Sequence, residues 1–308
     1  MKPAIAVFIA FFSALPFMSF SQVISDLTEQ KLAGKVKSLT EYTFKVKKVH
    51  GKIQKEYTGK TRCVYNQHGN KYNDYTYNPD GSLESSTVFN YNKDGLLEQE
   101  DGYNGDGSPG YTNIYKYDIS GNLVSIKLFN GAGSLFFKTV CEYDLEDNEV
   151  AETNYTLAME REKLRDAVLN KTSWQYDKRG NTTKEIYVEG DSATVRVTSF
   201  SYDNNGNLSE RIKSENGFAL RTTYQYDGSG NKTEEVEYDV KGIYFSKVTS
   251  RYDEKGNDIE DTYFDKDGNQ QTHSVFVITY DKQGNWIRKE QTVNNKPVLI
   301  IDREIEYY

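Results

Sequence analysis

YDKRGN, residues 176–181, is one of six copies of a single pattern, Tyr-Asp-x-x-Gly-Asn. The others are YDISGN at 117, YDNNGN at 202, YDGSGN at 226, YDEKGN at 252 and YDKQGN at 280. YNQHGN at 65, YNKDGL at 91 and YDLEDN at 143 are diverged copies, and Tyr307 stands where a tenth would begin. Successive motif tyrosines are 26, 26, 26, 33, 26, 24, 26, 28 and 27 residues apart. A period of this kind is the mark of a repeat architecture, in which each unit buries its apolar face only against its neighbours.

The pattern reads as a hairpin corner. An aspartate at the first turn position bonds the backbone two residues on, and a glycine three residues later supplies the positive φ that closes a type I turn with a G1 bulge. Asp118, Asp177, Asp203, Asp227, Asp253 and Asp281 therefore open turns behind Tyr117, Tyr176, Tyr202, Tyr226, Tyr252 and Tyr280. Gly121, Gly180, Gly206, Gly230, Gly256 and Gly284 close them. Aspartate enters the left-handed region more readily than most residues, so Asp147 can stand in for glycine in YDLEDN. A second aromatic lies halfway along many units, at Tyr77, Tyr103, Tyr238 and Phe264, each before a turn tetrapeptide such as NPDG or DKDG. One turn in about 13 residues leaves about eight for a strand.

The residues before each motif tyrosine alternate. Two positions before it stand Cys63, Phe89, Tyr115, Cys141, Trp174, Phe200, Tyr224, Ser250 and Ile278, and four before it mostly threonine. One position before it the residue is polar at nearly every copy. Period two with one apolar side predicts antiparallel strands with one buried face. The fold class predicted is all-β: an antiparallel hairpin meander of about 20 strands in one curled sheet, which laid flat would extend roughly 95 Å. A flat sheet of that size with one apolar face would be insoluble, so the Thr/aromatic/Tyr face is expected to turn inward.

Residues 1–21 read as a signal peptide. Lys2 is followed by an apolar run from Ala4 to Phe20, and Ser19-Phe20-Ser21 suits cleavage before Gln22. No cysteine follows to carry a lipid anchor, and no second apolar run of that length occurs, so the mature chain is expected to be exported without stable membrane insertion. Residues 22–308 are expected to form one repeat domain, with 22–60 supplying an N-terminal cap and two first strands around His50-Gly51. The chain holds 38 basic and 46 acidic residues, for a formal charge of −8. That balance argues against nucleic acid, which needs a basic stripe. Aromatic residues make up 14% and tyrosines alone number 25, which favours strands.

Residues 156–170, TLAMEREKLRDAVLN, break the period and read as one short helical insertion with Leu157, Leu164 and Val168 on a common face. Cys63 and Cys141 occupy the same repeat position three units apart. Six strands of a meander separate them by roughly 29 Å, against the Cα separation of about 7 Å that a disulfide permits. Two free, buried thiols are expected.

The motifs YDISGNL (117), YDKRGNT (176), YDNNGNL (202), YDGSGNK (226), YDEKGND (252) and YDKQGNW (280) resemble the YD-repeat, or Rhs-repeat, family over about 60–308. The chain is similar to the small exported YD-repeat proteins of Bacteroidetes. Large members of the family wind their strands into a shell around a C-terminal toxin. This chain has about nine units and no recognisable toxin domain. The resemblance implies a β-hairpin repeat fold and, as an alternative function, a part in an Rhs-like toxin-delivery or immunity system. Some family members carry a sugar-binding label.

Motifs for chemistry are sparse. His50, His68 and His273 are scattered and form no metal-binding spacing. DKDGN at 265–269 resembles the opening of a calcium loop, but Phe276 stands where a bidentate glutamate is needed. There is no nucleophile elbow and no phosphate loop. Carboxylates recur at one strand position, Asp74, Glu100, Glu152, Glu185, Glu235 and Asp261, which reads as a solvated face rather than a glycosidase pair. No catalytic residue, metal, disulfide or cofactor is predicted, and a glycoside hydrolase ranks last. The expectation is an exported, non-enzymatic binding or scaffold protein of the periplasm, cell surface or exterior, with a glycan or an envelope protein as partner.

Overall fold

The structure is a computed structural model that describes residues 25–160, 163–190, 194–239 and 241–308. The leader expected at 1–21 lies outside them. After a four-residue helix α1 (Asp26–Glu29) the described chain runs through strands alone. The first are β1 (Val36–Val49), β2 (Lys52–Tyr65), β3 (Lys71–Tyr77), β4 (Leu83–Tyr91), β5 (Leu97–Asn104), β6 (Pro109–Tyr117) and β7 (Leu123–Asn130). Then come β8 (Leu135–Tyr143), β9 (Glu149–Glu160), β10 (Lys163–Tyr176), β11 (Thr182–Glu189), β12 (Val195–Tyr202), β13 (Leu208–Glu215) and β14 (Phe218–Tyr226). The last are β15 (Lys232–Asp239), β16 (Tyr244–Tyr252), β17 (Asp258–Phe264), β18 (Gln270–Tyr280), β19 (Trp286–Val293) and β20 (Lys296–Tyr307).

Each strand pairs antiparallel with the next in sequence, so the meander and its 20 strands are as the repeat requires. The expectation of a curled sheet needs one correction. β20 pairs back onto β1, with Leu39 opposite Ile305 and Lys45 opposite Leu299, and the sheet closes into a barrel. Closure removes both edge strands and the unpaired backbone groups they would expose. Segment 25–35 seals the seam from the motif end. The Asn285 side chain donates to the Ala33 carbonyl at 2.8 Å and accepts from its N–H at 2.7 Å. Leu27, Leu32, Val36 and Leu39 pack on the fully buried Tyr65 in the one compact apolar cluster among the described residues.

The helix expected over 156–170 is also corrected. This segment forms the far halves of β9 and β10, paired from Ser173 opposite Ala151 out to Lys163 opposite Glu160. The pairing of β8 with β9 ends at Phe137 opposite Thr156, so the outer part is a two-stranded ribbon standing beyond the barrel wall. Helix propensity is a weak preference, and a strand already hydrogen-bonded at 149–155 propagates its pairing outward more cheaply than it starts a helix. The seven extra residues of this unit lengthen a hairpin. β1 and β2 form a second such ribbon, with Val49 opposite Lys52 around the left-handed His50 (φ +50°) and Gly51 (φ +79°).

Strand alternation gives the barrel two distinct walls. Motif tyrosines and the residues two and four before them share the less exposed wall. The residues immediately before the tyrosines, such as Gln175, Ser201 and Gln225, lie on the exposed one. Closing a sheet crowds side chains on its concave side, so the tyrosine wall is the inner one. Twenty strands at about 4.8 Å give a circumference near 96 Å and a diameter of roughly 30 Å. Side chains cannot fill a ring of that width, and barrels of this strand number enclose an aqueous lumen.

Candidate functional site

All the Tyr-Asp-x-x-Gly-Asn corners lie at one rim, and their polar groups are used locally. Asp118 Oδ1 accepts the N–H groups of Ser120 and Asn122, both at 2.9 Å. Asp177, Asp203, Asp227, Asp253 and Asp281 repeat that pair of bonds. Gly121, Gly180, Gly206, Gly230, Gly256 and Gly284 have φ between +74° and +92°. Asp147 takes the same role at φ +60°, and its carboxylate accepts from Asn122 Nδ2 of the preceding corner at 2.8 Å. Hydrogen bonds, the largest from the Asn181 and Asn231 side chains, hold Asp177 and Asp227 below the usual carboxylate range. These groups are committed to the turns.

The motif tyrosines tie one unit to the previous one. Tyr117 Oη donates to the Leu97 carbonyl at 2.9 Å, Tyr202 to Thr182 at 2.8 Å and Tyr226 to Leu208 at 3.0 Å. Tyr252 donates to Lys232 at 2.8 Å and Tyr176 to Glu149 at 2.5 Å. Tyr280 and Tyr307 instead donate to the Asp253 and Asp281 carboxylates of the corner before them. Burial raises these phenols' pKa, so they stay neutral donors across the ordinary pH range. This strap was not anticipated from the sequence. Its trace there is the near-constant spacing between each tyrosine and the first residue of the preceding strand.

One layer below the rim, the inner wall carries a ring of cross-strand pairs. Around the barrel these are Cys63–Asp74, Phe89–Glu100, Tyr115–Ile126, Cys141–Glu152, Trp174–Glu185, Phe200–Arg211, Tyr224–Glu235, Ser250–Asp261 and Ile278–Lys289. The recurring carboxylates are therefore beside the aromatic residues, which corrects their assignment to a separate solvated face. The cause is the bulge at each motif tyrosine. Gln175 pairs with Lys184 but Tyr176 with Thr182, and one extra residue in the ladder exchanges the faces of every residue beyond it.

The ring is polar and anchored. Glu100 accepts from Tyr111 and, at 2.9 Å, from Tyr115. Asp261 accepts from Ser250 at 2.6 Å, and Cys63 lies 3.4 Å from Asp74. Arg303 stacks 3.3 Å above the Trp286 ring and pairs with Glu41 at 2.9 Å. Lys71 and Lys232, at the heads of their strands, bridge to Asp74 at 3.2 Å and Glu235 at 2.5 Å. At the equivalent position two units carry a second acid, giving the pairs Glu149/Glu152 and Asp258/Asp261. Burial and then its contact with Asp261 push the Asp258 carboxyl up to about 6. Trp174, Phe200 and Tyr224 are only half-buried, so their rings meet the lumen.

The three histidines do not converge. His50 and His68 lie in turns, and His273 is on the outer wall with Nε2 3.1 Å from Glu260. The outer wall carries ion pairs spread around the barrel. They include Arg62–Glu306 (3.9 Å), Lys171–Glu142 (3.5 Å), Arg221–Glu210 (2.5 Å), Lys247–Glu234 (3.6 Å), Arg251–Glu260 (2.8 Å) and Arg288–Asp302 (2.6 Å).

No family model matches the chain and no curated protein does, so the YD-repeat resemblance rests on the motifs themselves. Among solved structures the chain is similar to TcdB2-TccC3, at 13% identity and a TM-score of 0.37, over 81% of this chain and 15% of that one. It is also similar to porin-like proteins from Bacteroides uniformis ATCC 8492 (11% identity, TM-score 0.34) and Bacteroides vulgatus ATCC 8482 (11%, 0.30). Each of these two matches covers 89% of this chain and 98% of the other. The chain thus spans about 15% of the length of the first of these. Likenesses this distant carry no argument about function.

Proposed function

We propose that the protein is an exported, non-enzymatic binding protein of the cell envelope that holds a neutral glycan in its lumen. The observation that carries this reading is the half-buried aromatic ring system of the inner wall, interleaved with fixed carboxylates. A sugar ring presents a C–H face and a rim of hydroxyl groups. Trp174, Phe200 and Tyr224 offer flat apolar partners with few torsions to immobilise. Glu185 and Glu235 beside them are acceptors for the hydroxyl groups. Excess acid in the layer disfavours an anionic polymer.

The outer wall supports a water-filled surrounding rather than a lipid one. A transmembrane barrel needs an outward apolar band about 25 Å tall, and an Arg or Lys at its midplane costs about 2–4 kcal/mol. Arg221, Lys247 and Arg251, with their acidic partners, stand where that band would be. The apolar leader at the N-terminus supports export, and the hydrogen-bonded state of the ring carboxylates supports recognition over turnover.

The test is a glycan array followed by calorimetry on the hits. At least one neutral glycan should bind, and Trp174→Ala, Phe200→Ala and Tyr224→Ala should each weaken it tenfold or more, while His273→Ala on the outer wall should not. Absence of any binder, or binding indifferent to the three inner substitutions, would sink the reading. Cleavage of the bound glycan would refute its non-enzymatic part.

A further inference from the structure

We propose that Cys141, Glu149 and Glu152 form a zinc-binding site on the inner wall, with three protein ligands and a fourth position open to the lumen. One ligand atom from each lies within 4.8 Å of the other two, the one such group among the described residues. A tetrahedral zinc with bonds of about 2.0–2.3 Å separates its ligands by roughly 3.5 Å, so side-chain rotations without backbone movement close the site.

The second observation is an orphaned atom. Glu149 Oε1 is shielded from solvent and has no hydrogen-bond partner. A buried carboxylate oxygen left without a donor is costly and calls for a proton or a cation. Cys141 beside it is 8% exposed. Binding of a divalent ion would release the thiol proton, as a thiolate ligand requires. Glu152 is already aimed, because its Oε1 accepts from Asn154 Nδ2 at 2.7 Å. A hydrogen bond of this kind to a ligating carboxylate is a usual support of metal sites. A sulfur donor beside two carboxylates selects zinc over calcium or magnesium, which take oxygen alone.

The repeat supplies its own control. Cys63 and Asp74 occupy the same positions three units earlier, but Lys71 stands where Glu149 does and pairs with Asp74 at 3.2 Å. Thiol and acid alone therefore exist twice in the barrel. Of these two units, the one in which the lysine is replaced by a glutamate leaves negative charge uncompensated and an oxygen without a donor.

The experiment is equilibrium dialysis of chelator-stripped full-length protein against zinc chloride, with metal analysis, followed by cobalt(II) loading. One zinc per chain is expected, with a thiolate-to-cobalt charge-transfer band in the near ultraviolet. Cys141→Ser should abolish the band. Glu149→Lys, which copies the Cys63 unit, should weaken zinc at least 100-fold, and Glu149→Gln at least tenfold should the lysine variant not fold. Cys63→Ser should change neither stoichiometry nor spectrum. Substoichiometric zinc in the wild type, or a cobalt band lost through Cys63→Ser instead of Cys141→Ser, would overturn the assignment. The outcome is independent of glycan binding, which Glu149→Gln does not address.

Discussion

Replacing Gly206 by valine isolates the cost of the corner geometry from any steric overlap. Gly206 has φ +87°, and a Cβ added there would meet nothing within 4 Å. Clash is therefore absent, and the penalty is backbone strain alone. The left-handed region costs an L-residue about 1–2 kcal/mol, and a β-branched one stands at the upper end or above, near 2–3 kcal/mol. The corner cannot relax out of it for free. Asp203 N donates to the Asn207 carbonyl at 2.8 Å and Gly206 N to the Asp203 carbonyl at 3.1 Å, while Asp203 Oδ1 holds two further N–H groups. Letting φ go negative would break bonds worth about 1 kcal/mol each. Gly206→Val should thus lose about 2–3 kcal/mol, and for a chain this long each kcal/mol lowers Tm by about 2–4 °C. Gly206→Asn, at home in this region, should lose about 1 kcal/mol or less. Thermal melts followed by circular dichroism in the β band, with urea titrations alongside, read both. A valine variant melting within about 1 °C of wild type, or valine and asparagine variants melting alike, would refute the claim that the left-handed glycine pins each corner.

Asp258→Asn should stabilise the protein at pH 7.5 and leave it unchanged near pH 3.5. The folded Asp258 carboxyl is raised from 3.8 to about 6, so its neutral form favours the fold below 3.8 and that contribution is lost as pH rises through 6. The asparagine stays neutral throughout. A Tm gain that is flat with pH would contradict the acid pair, and pH-dependent melts of both proteins decide it. Replacing residues 157–169 by a two-residue turn should leave the barrel's β signal and its melting transition in place, because that ribbon's ladder joins only β9 to β10, and its ties to the wall are the Gly190 N–H donating to the Leu169 carbonyl at 2.7 Å and the exposed Lys138–Asp166 pair at 3.4 Å. Collapse of the β signal on truncation would show that the ribbon supports the wall.

Much of the fold was legible because the repeat writes the same local instruction many times. Asp at the first turn position and Gly three later leave the chain little but a hairpin, and alternation before each tyrosine assigns a wall. The 156–170 segment misled for a physical reason: its alanines, leucines and charged residues favour a helix locally, while the ladder on either side extends a strand through it. The ring carboxylates misled for another, since the bulge at each motif tyrosine exchanges faces and nothing in the spelling of YDKRGN states which residue the ladder skips. The grouping of Cys141, Glu149 and Glu152 was equally hidden. Glu149 is adjacent to a corner in sequence, and only pairing with β8 brings it to Cys141.

Composition, period and turn chemistry by themselves determined an all-β meander of about 20 strands with its corners at one rim, because those are local matters settled within each 26-residue unit. Tertiary structure alone decided that β20 returns to β1, that the tyrosines strap one unit to the next, and that acids and aromatic rings share the inner wall. Closure depends on the small twist and curvature accumulated over every strand, and no single unit encodes their sum. A side chain's neighbours across a ladder depend on register, which one inserted residue changes.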